Sequence, residues 1–158
     1  MPSSRTSLLL IAFASFALVG AALYLQLAHD MLPCPLCVIQ RYAFLGIGCA
    51  ALVGALSNKI RGGAGVALLA ALAGLAVVGK HLYILANPGF SCGIDPMETM
   101  LNKIPTATML PWLFKAEGLC ENATDGLFGL SIPQWSAVWF VLLALALVWV
   151  LAAARRAR

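Results

Sequence analysis

The residues best suited to chemistry are two cysteines, Cys34 and Cys37, which are followed one helical turn later by Arg41. They lie where a polar connection gives way to an apolar run that begins at Tyr42. A Cys-x-x-Cys pair can cycle between dithiol and disulfide, or it can supply half of a metal site. At a helix start, unpaired backbone N–H groups and the positive end of the helix dipole favour the thiolate. Because Arg41 comes four residues after Cys37, it shares a helix face with that sulfur and can favour the thiolate further.

Apolar helices must position this pair. Of the 158 residues, 62% are hydrophobic and only 10% are charged, whereas soluble domains are about 45–50% apolar and about 25% charged. A spanning helix needs roughly 20 apolar residues, and the second of four such segments is long enough only if Arg41 lies at headgroup level. We predict an all-α membrane protein, a four-helix transmembrane bundle forming one domain over residues 1–158, with spans at about 7–28, 37–57, 64–86 and 135–154.

The first segment has an alternative interpretation as a cleaved signal peptide. Arg5 precedes it, and Val19-Gly20-Ala21 could be a cleavage site. Its apolar run is about twice the usual signal core of 7–15 residues. We therefore favour a retained helix.

The charges predict the orientation of the bundle. Cations lie at both chain ends and in the connection at about 58–63, where there are no acidic residues, while all six acids lie in the connections at about 29–36 and 87–134. By the positive-inside rule, both termini are cytoplasmic and the acidic connections, with Cys34 and Cys37, face outward. This distribution matters more than the net charge of +4, so no nucleic-acid partner is expected.

Two patterns predict packing. Gly46, Ala50 and Gly54 form a stripe of small residues, which lets a neighbouring helix approach closely in lipid. The long outer loop carries apolar residues at helical spacing and a second apolar patch, which favour short helices lying on the membrane surface. A small external core is the alternative. The residues concerned are Met97, Met100, Leu101 and Ile104, then Met109, Leu110, Trp112, Leu113 and Phe114.

Four cysteines are predicted on the outer face: Cys34, Cys37, Cys92 and Cys120. They permit three pairings. A disulfide that encloses only two residues removes little chain entropy, so a redox role is favoured for Cys34–Cys37. The remaining pair, Cys92–Cys120, fits a structural role and a redox role equally well. The spacing does not match a zinc ribbon, and no metal site is predicted. Cys49 would lie about 18 Å deeper than Cys37 and is predicted to be a small buried hydrophobe.

A membrane thiol couple needs an electron acceptor. The chain has no dinucleotide-binding fingerprint, P-loop or heme-type Cys-x-x-Cys-His motif, and a quinone that reaches the helix start from within the bilayer fits the chemistry. Arg41 could stabilise charge on a reduced oxygen or serve as an interfacial anchor. His81, near the outer edge, is a candidate proton donor or a hydrogen-bonded packing residue.

Four motifs resemble the disulfide bond formation protein B (DsbB) family of Gram-negative bacteria. They are Cys-Pro-Leu-Cys-Val-Ile-Gln-Arg-Tyr at 34–42, Ser-Cys-Gly at 91–93, Gly-Leu-Cys-Glu at 118–121 and Phe-Gly-Leu-Ser-Ile-Pro-Gln-Trp at 128–135. The likeness covers essentially the whole chain. It departs from the family pattern just before the last motif, where Asp125-Gly126 replaces an aromatic residue.

The resemblance implies a thiol:quinone oxidoreductase of the bacterial inner membrane, with its redox cysteines in the periplasm. A thioredoxin-like oxidase of the DsbA type would react with Cys92 of a Cys92–Cys120 disulfide, and Cys34 would exchange with that loop pair. Cys37 would then face a quinone, either ubiquinone or menaquinone. The family logic also favours Arg41 as a quinone-site residue and makes His81 a further candidate for cofactor binding.

Two rival functions remain at this stage. A vitamin K epoxide reductase-like protein also couples thiols to a quinone, but its active Cys-x-x-Cys lies near the last helices of the bundle rather than before the second. The other rival is a small membrane chaperone or subunit with structural disulfides. Loss of turnover in Cys37→Ser would discriminate the enzyme from the structural protein.

Overall fold

Four long helices dominate the computed structural model, which describes residues 3–87, 94–118, 126–127 and 129–156. They are α1 Ser4–His29, α2 Pro35–Leu56, α3 Ile60–Ala86 and α7 Ile132–Arg156. Each is long and apolar enough to cross a membrane. The all-α, four-helix fold class is therefore confirmed.

The four helices pack around a common apolar core. Helix α2 packs against α1 and α3, and α7 packs against α3 and α1. Leu8, Ile47 and Phe140 are fully buried between them, and the rings of Phe44 and Phe140 stack with centroids 4.0 Å apart. Large apolar side chains also cover the outside of the bundle, including Phe13, Leu69 and Leu145. An apolar exterior of this extent is suited to lipid.

The connection between α2 and α3 is shorter than predicted. The sequence suggested a loop at about 58–63, but α3 already begins at Ile60. Asn58 takes up the left-handed backbone conformation (φ 55°) that reverses the chain, so a very short connection suffices. The glycines that resembled loop residues instead lie in the first turn of α3.

One of these glycines, Gly63, packs closely against Gly54 of α2. The Cα of Gly54 lies so near Gly63 that a Cβ added to Gly63 would be 2.5 Å from it and 2.8 Å from the carbonyl oxygen of Ala50. At Gly46, an added Cβ would lie 3.5 Å from Ala70. The small-residue stripe predicted on α2 is thus confirmed as a packing surface, and its partner is α3.

Gly63→Ala is expected to destabilise the bundle by about 1–3 kcal/mol, because the added methyl group overlaps backbone that cannot move aside. Gly62→Ala is the matched control, since a Cβ there meets nothing within 4 Å. Thermal unfolding in detergent, followed by circular dichroism, should show a lower midpoint for Gly63→Ala alone. Equal midpoints for the two variants would contradict the close approach.

Three short helices follow α3: α4 Ile94–Asn102, α5 Pro105–Met109 and α6 Pro111–Phe114. Ala107, Phe114 and Ala116 are buried against Val38 of α2. The ring of Tyr42 stacks on Phe114 with centroids 4.3 Å apart, and its hydroxyl hydrogen-bonds to that of Thr106. The segment therefore has a small core of its own against α2, while Met100, Met109 and Trp112 remain exposed and suited to a membrane surface.

A small hairpin leads into α7. Strands β1 Gly126–Leu127 and β2 Leu130–Ser131 pair antiparallel, and Gly129 has a positive φ of 82°. The side-chain oxygen of Gln134 accepts the backbone N–H of Ser131 at 2.8 Å, half of a capping box that starts the helix. Pro133, Trp135 and Ser136 in the first turns of α7 line the same cavity as Cys37 and Arg41.

Candidate functional site

Local backbone geometry brings the two motif cysteines together. Cys34 is the N-cap of α2, and its sulfur accepts the backbone N–H of Cys37 at 3.2 Å. Pro35 takes the first helical position, where its fixed φ suits the helix and its missing N–H costs nothing. The Cys-Pro-x-Cys sequence therefore forms a helix start in which one cysteine caps the turn that carries the other.

The two sulfurs lie 2.7 Å apart, so a small side-chain adjustment would join them as a disulfide. Cys34 is only 1% exposed, whereas Cys37 is half-buried. The hydrogen bond with Cys37 raises the pKa of the Cys34 thiol, and burial raises it further. In the dithiol state Cys34 thus retains its proton, and Cys37 is the more accessible sulfur.

His81 is packed behind Cys34. It is fully buried, and its Nε2 lies 3.8 Å from the sulfur of Cys34. Its Nδ1 lies 3.3 Å from the amide nitrogen of Gln40, which is also buried. If the amide donates to Nδ1, the ring proton is on Nε2 and faces the sulfur.

The same cluster has the composition of a soft-metal site. The ligand atoms of Cys34, Cys37 and His81 all lie within 4.8 Å of one another. Two thiolates and an imidazole are ligands that suit zinc. In the part of the chain that the structure describes, these three residues could hold a metal while the cysteines are reduced.

Arg41 is buried at 7% exposure and reaches the outer segment. Its Nη1 donates to the carbonyl oxygen of Leu113 at 2.9 Å. That bond uses one of the five N–H groups of a guanidinium. The arginine therefore ties α2 to α6 and has further donors for another group.

Cys37 and Arg41 share the wall of one cavity at this end of the bundle. Its volume is about 720 Å³, in the range of small-molecule sites. Helix α2 contributes Cys37, Gln40, Arg41 and Phe44, and Asp30 follows α1 on the same wall. Helix α1 itself contributes Leu18, Val19, Ala21, Ala22, Leu25, Gln26 and His29. Residues 31–33, Glu117 and Gly118 also line the cavity, and α7 contributes Ile132, Pro133, Trp135, Ser136 and Trp139. His81 is not among the lining residues; it touches Cys34 instead.

One polar atom on this wall lacks a partner. Gln26 donates its side-chain amide to the carbonyl oxygen of Trp112 at 3.2 Å. Its Oε1 is buried without a hydrogen bond among the described residues. Buried polar atoms are nearly always paired, so this oxygen is an exception among the described residues.

The structure brings four of the predicted site residues together, and two others lie outside the part of the chain that it describes. Cys34, Cys37, Arg41 and His81 all lie at the start of α2 or against it, whereas Cys92 and Cys120 lie outside the described residues. Sequence reasoning missed Gln40 and Gln26, although each is an uncharged polar residue within an apolar span. It also missed that α1 and α7 build most of the cavity wall.

The prediction for Cys49 was wrong. Cys49 is exposed on the surface of α2 rather than buried between helices. Helix faces toward lipid and toward the core are both apolar in a membrane bundle, so depth along the helix did not reveal which way the thiol points.

Comparison with known proteins identifies the family. The family model described as disulfide bond formation protein DsbB matches residues 4–150. A disulfide bond formation protein B of Herminiimonas arsenicoxydans is 54% identical over 150 residues, covering 94% of this chain and 95% of that protein. Proteins of the same name from Ralstonia nicotianae and Cupriavidus metallidurans are 50% and 48% identical, and the matches cover 92% of this chain and 92% and 91% of theirs. With its four apolar helices and its cysteine pair, the chain therefore belongs to the DsbB family of multi-pass membrane proteins, the disulfide-forming oxidoreductases.

Proposed function

We propose that this protein is an inner-membrane thiol:quinone oxidoreductase that reoxidises a periplasmic thioredoxin-fold disulfide donor of the DsbA type. Electrons would pass through Cys92 and Cys120 to Cys34 and Cys37, and from there to a membrane quinone. The observation that carries the proposal is the shared cavity wall: the accessible sulfur, Cys37, and a buried guanidinium, Arg41, border the same space.

The cavity fits a quinone ring. Arg41, on the cavity wall, offers N–H donors to a carbonyl oxygen of the ring. The rings of Phe44, Trp135 and Trp139 supply flat apolar walls. When bound, a quinone accepts two electrons and two protons and leaves as a quinol.

Thiol–disulfide exchange delivers electrons to the pair. A thiolate of the partner attacks Cys92 of the loop disulfide, forming a mixed disulfide and releasing Cys120 as a thiolate. Cys120 then attacks Cys34, so that the Cys34–Cys37 bond breaks and Cys37 leaves as a thiolate. The second partner thiol displaces Cys92, which attacks Cys120 and releases Cys34. The partner gains one disulfide, and Cys34 and Cys37 gain two electrons.

The surroundings of the pair suit these roles. Cys34 regains a proton on release, because its hydrogen bond with Cys37 and its burial raise the pKa of its thiol. His81 Nε2 lies within hydrogen-bonding distance of the same sulfur. Cys37 lies on the cavity wall, one helical turn from Arg41, whose positive charge stabilises a thiolate there.

The positive-inside charge pattern supports the proposed orientation, with both termini cytoplasmic and Cys34 and Cys37 at the periplasmic edge. A coupled assay tests the function. Purified protein, a reduced thioredoxin-fold partner and a soluble quinone should together yield quinol, and omission of any one should stop the reaction. A complete mixture that leaves the quinone oxidised would contradict the proposal.

Arg41→Gln is expected to raise the KM for quinone about ten- to hundredfold, since a hydrogen bond from a charged group contributes about 1.5–3 kcal/mol. Reduction of Cys34–Cys37 by a small dithiol does not involve the quinone, so it should slow less than quinone reduction does. Arg41 also holds Leu113, so Tyr42→Phe is the control: it removes the bond to Thr106, and thus loosens the same segment, without altering the cavity wall. An unchanged KM in Arg41→Gln would remove this residue from the quinone site.

A further inference from the structure

The segment just before Cys120 is bound to the backbone just before Cys34. The N–H groups of Glu117 and Gly118 both donate to the carbonyl oxygen of Pro33, at 3.0 and 3.1 Å. Pro33 is the residue that precedes Cys34, so a 116–118 strap lies directly against the start of the redox motif.

Gly118 permits this contact because it has no side chain. A Cβ at this position would overlap the carbonyl oxygen of Leu32 and would lie 3.3 Å from the backbone nitrogen of Cys34. Both obstacles are backbone atoms, which cannot rotate away as the end of a flexible side chain could. Any larger residue would push the strap off the Leu32–Cys34 backbone.

Asn102 holds the other end of the strap. Its amide nitrogen donates to the carbonyl oxygen of Ala116 and its Oδ1 accepts the N–H of the same residue, both at 2.9 Å. Ala116 is fully buried. Two complementary bonds to the backbone of one residue fix its position and direction, so Asn102 holds the strap at Ala116, and the bonds to Pro33 hold it at Glu117 and Gly118.

We infer that Gly118 and Asn102 are positioning residues that dock the strap beside Cys34 and so govern electron transfer from the loop to the membrane pair. The inference rests on the proposed route through Cys92 and Cys120. Cys120 comes two residues after Gly118, and two residues span at most about 7 Å. With the strap docked, the chain after Gly118 is too short to let the Cys120 thiol move far from this point, which raises its effective concentration at Cys34.

Transfer from the loop to the membrane pair is one thiol–disulfide exchange. The Cys120 thiolate forms a bond to the Cys34 sulfur, the Cys34–Cys37 bond breaks, and the electron pair leaves on Cys37. No proton, oxidant or further reactant is required. Docking changes the frequency with which the two sulfurs meet, and leaves the chemistry of each sulfur unaltered.

Gly118→Ala and Asn102→Ala are therefore expected to slow transfer from a protein partner about tenfold or more, as a misplacement of about 1 Å can cost a hundredfold in rate. Full-length protein without quinone is mixed with a reduced thioredoxin-fold partner, quenched in acid, alkylated and analysed by mass spectrometry. The mixed disulfide between the partner and Cys92 should accumulate, and reduction of Cys34 and Cys37 should lag. Asn102→Asp, which keeps the acceptor for Ala116 N–H but loses the donor, should fall between wild type and Asn102→Ala.

Direct reduction of Cys34–Cys37 by dithiothreitol bypasses the loop cysteines. It therefore distinguishes a loss of positioning from a general loss of stability, which would slow both routes. It should stay near the wild-type rate in both variants, and Gly79→Ala, where a Cβ meets nothing within 4 Å, should leave both routes unchanged. Equal slowing of the two routes, or normal transfer from the partner, would overturn the inference. Absence of any transfer between the two pairs in the wild-type protein would instead refute the proposed electron route on which the inference rests.

Discussion

A Cys37→Ser protein is expected to insert in the membrane normally and to lose quinone-dependent oxidation of a dithiol partner altogether. Cys37 is the half-buried sulfur that lines the cavity, and Cys34 alone cannot close a disulfide there. Without a Cys34–Cys37 bond, the Cys120 thiolate has no disulfide to attack at Cys34, so electrons from the partner should stop at the loop and leave Cys92 and Cys120 reduced. Quinol formation and nonreducing electrophoresis measure the two effects.

Cys49→Ser is the matched control for this variant. It replaces a cysteine on the same helix that is exposed on the bundle surface and lies away from the cavity wall. It should turn over at the wild-type rate. Sustained turnover by Cys37→Ser would show that the pair at the start of α2 is not the last thiol carrier.

For Cys92→Ser, the expected result is a protein that no longer accepts electrons from a thioredoxin-fold partner but still oxidises small dithiols. The buried position of Cys34 restricts direct attack by a large partner. Small dithiols can reach the pair through Cys37, which borders the cavity. The rate of partner oxidation, divided by the rate of small-dithiol oxidation, should therefore fall sharply. In Cys37→Ser both rates should be lost.

The measurement compares initial rates with a reduced thioredoxin-fold protein and with dithiothreitol, at saturating quinone. Cys49→Ser again serves as the cysteine control. If Cys92→Ser oxidised the protein partner at the normal rate, the loop pair would be a structural disulfide.

Local patterns in the sequence predicted much of this fold. Charge distribution and apolar length are properties of single segments, and they were enough to identify four spanning helices. The stripe of Gly46, Ala50 and Gly54 also predicted a close helix contact, because small residues leave room whichever helix fills it. The Cys-Pro-x-Cys stretch predicted a helix start because capping depends on residues only three positions apart.

Contacts between distant segments could not be predicted in the same way. Gln26 of α1 and Trp139 of α7 border the same cavity as Cys37, although more than a hundred residues separate the first two. The clamp between Asn102 and Ala116 likewise joins a helix to an irregular segment. Neither residue belongs to a periodic pattern, so no local signal distinguished it from an ordinary loop residue.

The contacts of His81 distinguish between its two possible roles. Its place near the end of α3 was compatible with proton donation to a quinone or with packing. The structure sets it against Cys34 and Gln40, away from the cavity lining. Its contacts therefore favour an effect on the Cys34 sulfur over direct contact with a cavity ligand.

The most direct test of the proposed chemistry is a single turnover without any protein partner. Purified protein with Cys34 and Cys37 reduced is mixed anaerobically with a soluble quinone, and quinol absorbance is followed while samples are quenched and alkylated. The account predicts one quinol per protein, formed at the same rate as the Cys34–Cys37 disulfide, in a variant that carries serine at both Cys92 and Cys120. Reduced cysteines that persist while quinone remains oxidised would contradict it.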